Sequence, residues 1–166
     1  MKLCSACLLG LKCRYDGRAR PHKEVTDISK REILIPVCPE QLGGLATPRH
    51  ASEIRGKRVV SETGEDVTGY FKKGAKEVLK IARTFHIKEA ILKQRSAACG
   101  SGWVYNGTFS GKLKEGYGIT AGLLKQEGIK VFSEDDINAL KGGAKMCKTC
   151  KSHAKKAKKK AKKKKK

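Results

Sequence analysis

Three cysteines sit in short loops built of small residues, prolines and glycines. They are Cys7 in Ser5-Ala6-Cys7-Leu8-Leu9-Gly10, Cys38 in Pro36-Val37-Cys38-Pro39-Glu40, and Cys99 in Ser96-Ala97-Ala98-Cys99-Gly100-Ser101-Gly102. Thiolates are the ligands of iron–sulfur clusters and, equally, of zinc. Four cysteines are the usual complement of an electron-transfer cluster. Three leave one iron open, and an open iron acts as a Lewis acid toward a substrate atom, with sulfur a favoured donor. Three sulfurs and a water also make an open zinc site, and spacing alone does not separate the two. Glu40 stands two residues beyond Cys38, where a carboxylate suits general acid or base work. Ser96 and Ser101 flank Cys99 as hydrogen-bond donors to a substrate, and Arg95 suits an anion or an acidic neighbour.

For these loops to meet, the elements between them must bring them to one edge. Each follows a short apolar run that reads as a strand: Met1 to Ala6, Ile33 to Val37, and Ala90 to Leu92. Helical patterns separate the runs, so the strands are expected to be parallel, with their carboxyl-end loops along one edge where ligands bind. Ile129-Lys130-Val131-Phe132 adds a fourth strand. The expected fold is α/β: a compact, open, mainly parallel sheet of about four strands flanked by helices, Rossmann-like or flavodoxin-like. The clearest helix spans about 66–85, with Val67, Phe71, Val78, Ala82 and Phe85 near one face and Lys72, Lys73, Lys76, Lys80 and Arg83 on the solvated remainder. Shorter helices are expected over 24–30 and 118–126, and one starts at Ser133 and runs to Gly142-Gly143. Lys57-Arg58-Val59-Val60 reads as an edge strand. Trp103-Val104-Tyr105, Asn106-Gly107 and Thr108-Phe109 read as a hairpin. Arg14 and Asp16 flank the turn of Cys13-Arg14-Tyr15-Asp16-Gly17 as a local ion pair, and Cys4 reads as a small buried strand residue.

Charge is distributed unevenly. The 166 residues carry a net +22, but residues 141–166 alone hold 14 lysines and no acid, leaving the first 140 with 24 basic and 16 acidic side chains. The expected organisation is an α/β domain over 1–142 and a Lys-rich, low-complexity, disordered tail over 143–166. Such a tail binds RNA or other polyanions without sequence preference and in a salt-dependent way. Cys147, Cys150 and His153 have metal-ligand spacing but no second half. No apolar run approaches the ~20 residues of a membrane helix, and the first residues show no long apolar stretch of the kind a secretory signal has. The protein is expected in the cytoplasm, where cysteine clusters mean metal or catalysis more often than disulfides.

Long motifs carry a resemblance. Ser5-Ala6-Cys7-Leu8-Leu9-Gly10, Cys13-Arg14-Tyr15-Asp16-Gly17, Pro36-Val37-Cys38-Pro39-Glu40-Gln41-Leu42-Gly43-Gly44-Leu45 and Ser96-Ala97-Ala98-Cys99-Gly100 closely resemble the small prokaryotic thiouracil desulfidase family, over about residues 3–140. The resemblance implies a 4Fe-4S cluster with one open iron held by Cys7, Cys38 and Cys99, with Glu40 as acid/base and Ser96 as the hydroxyl assisting the substrate. Cys13 falls outside that ligand set. The family's usual Arg-Ser-Pro-Ser-Cys-Gly stands here as Arg95-Ser96-Ala97-Ala98-Cys99-Gly100, a change that could loosen the loop. The implied activity replaces the sulfur of a thiolated pyrimidine (thiouracil, or thiouridine in tRNA) by oxygen and releases sulfide. The polybasic tail lies outside the family pattern and favours an alternative: a metal- or cluster-containing RNA- or DNA-binding module without turnover.

Overall fold

Short strands, several of them apolar, alternate with helical segments through much of the chain, and the structure is layered accordingly. The structure is a computed structural model, in which residues 1–137 are described. In chain order its elements are β1 (Lys2–Ser5), α1 (Lys23–Ser29), β2 (Leu34–Val37), α2 (Pro39–Leu42), β3 (Ser52–Arg55), β4 (Arg58–Ser61), α3 (Thr68–Thr84), β5 (Glu89–Leu92), β6 (Ser101–Tyr105), β7 (Leu113–Tyr117), α4 (Ile119–Gln126) and β8 (Lys130–Ser133), with 3₁₀ turns at Ala6–Leu9 and Glu134–Asp136. The chain divides between Asp135 and Asp136 into two units. The first, Met1–Asp135, holds the sheet and the four α-helices of the described residues. The boundary expected at 142/143, the body of the helix expected beyond Ser133, the Cys147-Cys150-His153 group and the lysine tail lie outside the described residues.

The central sheet has the order β2-β1-β5-β8, and every pairing in it is parallel. The first crossover steps to one side of β1 and the next returns to the other. The strand order therefore reverses between β1 and β5, the topological switch point at which open α/β sheets bind ligands. Register makes the edge level. Ser5 pairs with Val37, and Cys4 with Ile91. The loops bearing Cys7, Cys38 and Cys99 thus leave the sheet at nearly the same height.

Strands buried on both faces read as continuous apolar runs. Leu3, Ala90, Ile91 and Leu92 are all fully buried. α3 covers the sheet with Phe71, Ala75, Val78, Leu79 and Ala82. Phe85, expected on that face, is half exposed because the helix ends at Thr84. Two antiparallel ribbons complete the unit. Residues 57–60 join no edge of the main sheet; β4 pairs with β3 in a ribbon of its own. The β6–β7 ribbon returns through Leu113–Tyr117 rather than Thr108-Phe109. Among the described residues no helix is long and apolar enough to cross a membrane.

Candidate active site

A cavity of about 490 Å³ opens at the carboxyl ends of β1, β2 and β5, and its walls include Cys7, Cys38, Cys99, Glu40 and Ser96. The structure therefore brings all five sequence-predicted residues to one place. Cys13 lines it too, a fourth thiol that spacing alone did not assign. Cys4 sits fully buried in β1, and burial, aided by the charge of Glu134, pushes its pKa up to about 12.

The cavity thiols are held in a web. The Cys38 thiol donates to the Cys13 carbonyl at 3.5 Å. Hydrogen bonding to Cys13 and burial push the Cys38 thiol well above its ordinary value, against the Gln41 N–H, which favours the thiolate. Cys13 is pulled down by its contact with Cys38, but the Cys7 contact and burial prevail and carry it to about 11. Burial raises Cys99 most, and the hydrogen bond from the Ser5 hydroxyl only partly offsets it. Thiols in this condition release protons when they take a metal. All five described cysteines are free of disulfides.

Glu40 is carried on α2, a single turn that Pro39 starts and whose N-cap is Cys38. The turn is fixed from behind by close approach of α3. A Cβ at Gly74 would lie 1.7 Å from the Pro39 carbonyl oxygen, so only glycine lets the two backbones meet there. From the front it is held by Arg49, a residue that no sequence motif singled out. Arg49 Nε donates to Glu40 Oε2 at 2.7 Å, its Nη1 to the Ala46 carbonyl at 3.0 Å and the Thr47 hydroxyl at 2.9 Å, and its Nη2 to the Cys13 carbonyl at 3.0 Å. The guanidinium side chain is only 8% exposed. One planar fork thus orders the carboxylate and the backbone of the neighbouring cysteine together.

The Cys99 loop is held differently. Ser96 Oγ accepts the Ala98 and Cys99 N–H groups at 3.2 and 3.1 Å, which closes the turn despite the Ala97-Ala98 sequence. Both bonds use the oxygen as acceptor and leave the hydroxyl proton for another partner. Buried Gln94 spans the loop: its Oε1 accepts from Ser101 N at 2.9 Å, and its Nε2 donates to the Ser101 carbonyl at 2.9 Å. The Gln94 N–H in turn donates to Glu134 Oε2 at 2.6 Å. Arg95 sits at φ +56°, a left-handed position uncommon for a residue with a side chain. Its guanidinium reaches Asp135 at 3.4 Å, the acidic neighbour rather than an anion. At Gly118 a Cβ would lie 2.5 Å from the Ala98 carbonyl, so the start of α4 presses against the back of this loop.

Other expectations resolve into structure. Arg14 and Asp16 pair at 3.0 Å. The 106–111 segment forms a wall of the cavity through Phe109 and Gly111, pinned by the Glu53 carboxylate, which accepts Gly107 N at 2.8 Å and Phe109 N at 3.0 Å. Gln94 holds the backbone of Ser101, which is not among the residues lining the cavity, and the Trp103 ring is 43% exposed.

The family model described as 2-thiouracil desulfurase matches residues 3–136. The chain belongs to that family. A relative, the Bacillus subtilis (strain 168) protein YbbK, described as uncharacterized, is 41% identical over 148 residues, spanning 83% of this chain and 98% of its own. The solved structure of the [4Fe-4S]-dependent thiouracil desulfidase TudS superposes with a TM-score of 0.79 at 42% identity, covering 84% of this chain and 93% of that one.

The donor set of this 2-thiouracil desulfurase family member fits an iron–sulfur cluster. Cys7, Cys38 and Cys99 come from three separate loops, line one cavity and are free of disulfides, and thiolates are the ligands such clusters take.

Proposed function

We propose that this chain is a [4Fe-4S]-dependent desulfidase that replaces the sulfur of a thiouracil by oxygen, with water as co-reactant and sulfide as the second product. One observation carries the reading: Cys7, Cys38, Cys99, Glu40 and Ser96 line a single cavity at the switch point of the sheet. Cys7, Cys38 and Cys99 would hold the cluster, with no fourth protein ligand. Bound there, the cluster supplies a Lewis-acidic iron suited to a soft thiocarbonyl sulfur.

The chain's own residues do the rest. Glu40, fixed by Arg49, takes the proton of the attacking water at its carboxylate and returns it to the leaving sulfur or the ring nitrogen. Ser96 turns its hydroxyl proton toward the substrate while its oxygen keeps the Cys99 turn closed. Tyr15, Tyr105 and Phe109 give aromatic wall for a pyrimidine ring. The net reaction exchanges C=S for C=O and changes no oxidation state. We place the protein in the cytoplasm, where its thiols stay reduced, and assign RNA or another polyanion to the lysine tail.

Anaerobic purification with iron, sulfide and spectral analysis, followed by a thiouracil assay, tests the reading. The wild type is expected to hold about four irons and four sulfides per chain and to release sulfide from thiouracil. Cys38→Ser is expected to lose both together. Stoichiometric zinc, or full activity without iron, would overturn the proposal.

A further inference from the structure

Away from the cavity, α3 and α4 frame a second concavity of about 880 Å³. One lip carries Lys72, Lys76, Lys80 and Arg83, all exposed. Their spacing along α3 places Lys72, Lys76 and Lys80 one above another, about 6 Å apart at 1.5 Å of rise per residue. Among the described residues these three lysines form no ion pair, although Lys72 acts on Asp66 at longer range. Arg83 alone on this lip is paired, to Glu127 at 2.5 Å. The floor and far lip are of another kind: Ala75, Leu79, Ile119, Gly122 and Leu123 are apolar or small. Tyr117 stands at the rim, 46% exposed, with Lys125 Nζ 4.2 Å from its ring centroid.

A helix face that is merely solvated has no need of a groove beneath it. A row of cations at regular intervals, an apolar trough and an exposed ring at one end form the combination that follows a single nucleic-acid strand, with phosphates on the cations and a base on the ring. An anionic membrane would meet a flat or convex apolar surface instead. We propose that the α3–α4 groove binds single-stranded RNA, with Lys72, Lys76 and Lys80 on successive phosphates and Tyr117 stacking a base. The choice of RNA over DNA rests on the thiouracil reading, since uracil is the RNA base. The groove does not stand apart from the cavity. Its Gly118 end abuts Ala98 in the Cys99 loop, so a strand in the groove has one end beside the wall of the proposed active site.

The test uses the full chain and a fluorescein-labelled single-stranded oligouridylate, with binding read by anisotropy over a salt series. Lys72, Lys76 and Lys80 are changed together to Gln, which keeps helix propensity. Lys57, Lys112 and Lys130, exposed elsewhere, are changed together to Gln as an equal-charge control. Removing three single-strand phosphate contacts is expected to make the log–log salt slope shallower by about 2 and to weaken binding about tenfold or more at low salt. The control should move both far less, and ultraviolet cross-linking should label the Tyr117 peptide in the wild type. Equal losses in the two triple variants would reduce the effect to net charge and overturn the proposal. Unchanged RNA binding in the groove variant would do so too, as would loss of binding only to phosphatidylglycerol vesicles. Sulfide release from free thiouracil, measured in parallel, stands or falls with the cavity. Its absence from the wild type with groove-dependent RNA binding intact would sink the desulfidase reading alone.

Discussion

Two walls of the same cavity are built by opposite means. On the Cys99 side the bonds nearest the cysteine come from neutral side chains, Ser96 closing its turn and Gln94 spanning it, with the Glu134 carboxylate behind Gln94. On the Glu40 side a single charged fork ties a carboxylate to the backbone of Cys13. The neutral wall distributes its bonds over several residues. The charged wall concentrates them in Arg49. A reaction that moves protons near one wall and holds a ligand at the other would favour this division. On the proposed mechanism Glu40 gains a fixed position, and Cys99 gains a loop whose nearest bonds are neutral.

The comparison is open to direct tests. Glu40→Gln keeps the shape of the charged wall and removes its proton acceptor; kcat for sulfide release is expected to fall by ~10²–10⁴ while iron content stays that of the wild type. Loss of iron in this variant would mean that Glu40 belongs to the scaffold. Arg49→Ala leaves the carboxylate but frees it, and kcat is expected to fall by about 10² with a smaller change in KM. Arg49→Lys, which restores charge but not the fork, should recover only part. If both Arg49 variants matched the wild type in kcat, the charged wall would have no positioning function. Gln94→Ala tests the neutral wall. It leaves the Ser101 amide and carbonyl without their partner and is expected to lower stability by about 1–3 kcal/mol. Iron should escape faster on exposure to air, with kcat per iron nearly unchanged. A fall in kcat per iron as large as that of Arg49→Ala would erase the distinction between the walls.

The cysteine loops were legible because each follows an apolar run, and a parallel sheet brings such loops to one edge whatever their sequence separation. The long helix was legible from its 3.6-residue period. Arg49, Gln94 and Ser5 were not, because each has a deciding partner far along the chain: Arg49 reaches Cys13, Gln94 is held by Glu134, and the Ser5 hydroxyl accepts the Lys93 N–H. No periodicity marks a side chain whose role is to cross between loops. The β6–β7 ribbon was misplaced for the same reason. Asn106-Gly107 looks like a tight turn, yet Glu53 holds Gly107 and Phe109 from the β3 ribbon, and the chain runs on to Leu113 before it returns. The lysine face of α3 read as solvated, since only the placement of α4 beside it creates a groove.

The level register of β1, β2 and β5 bears on how the protein matures. Ligands drawn from such distant segments have no common location until β5 has docked between β1 and β8, so cofactor loading on this reading is a late event in folding. Forming these long-range contacts is the slow step for a topology of this kind. A nascent chain lacking β5 offers iron two of the three loops at most. Once loaded, the cluster would lock all three strand ends at once, and its departure would release them together. Oxygen damage to the cofactor would then appear first as altered proteolysis or hydrogen exchange at the ends of three strands, rather than as a local lesion in one loop.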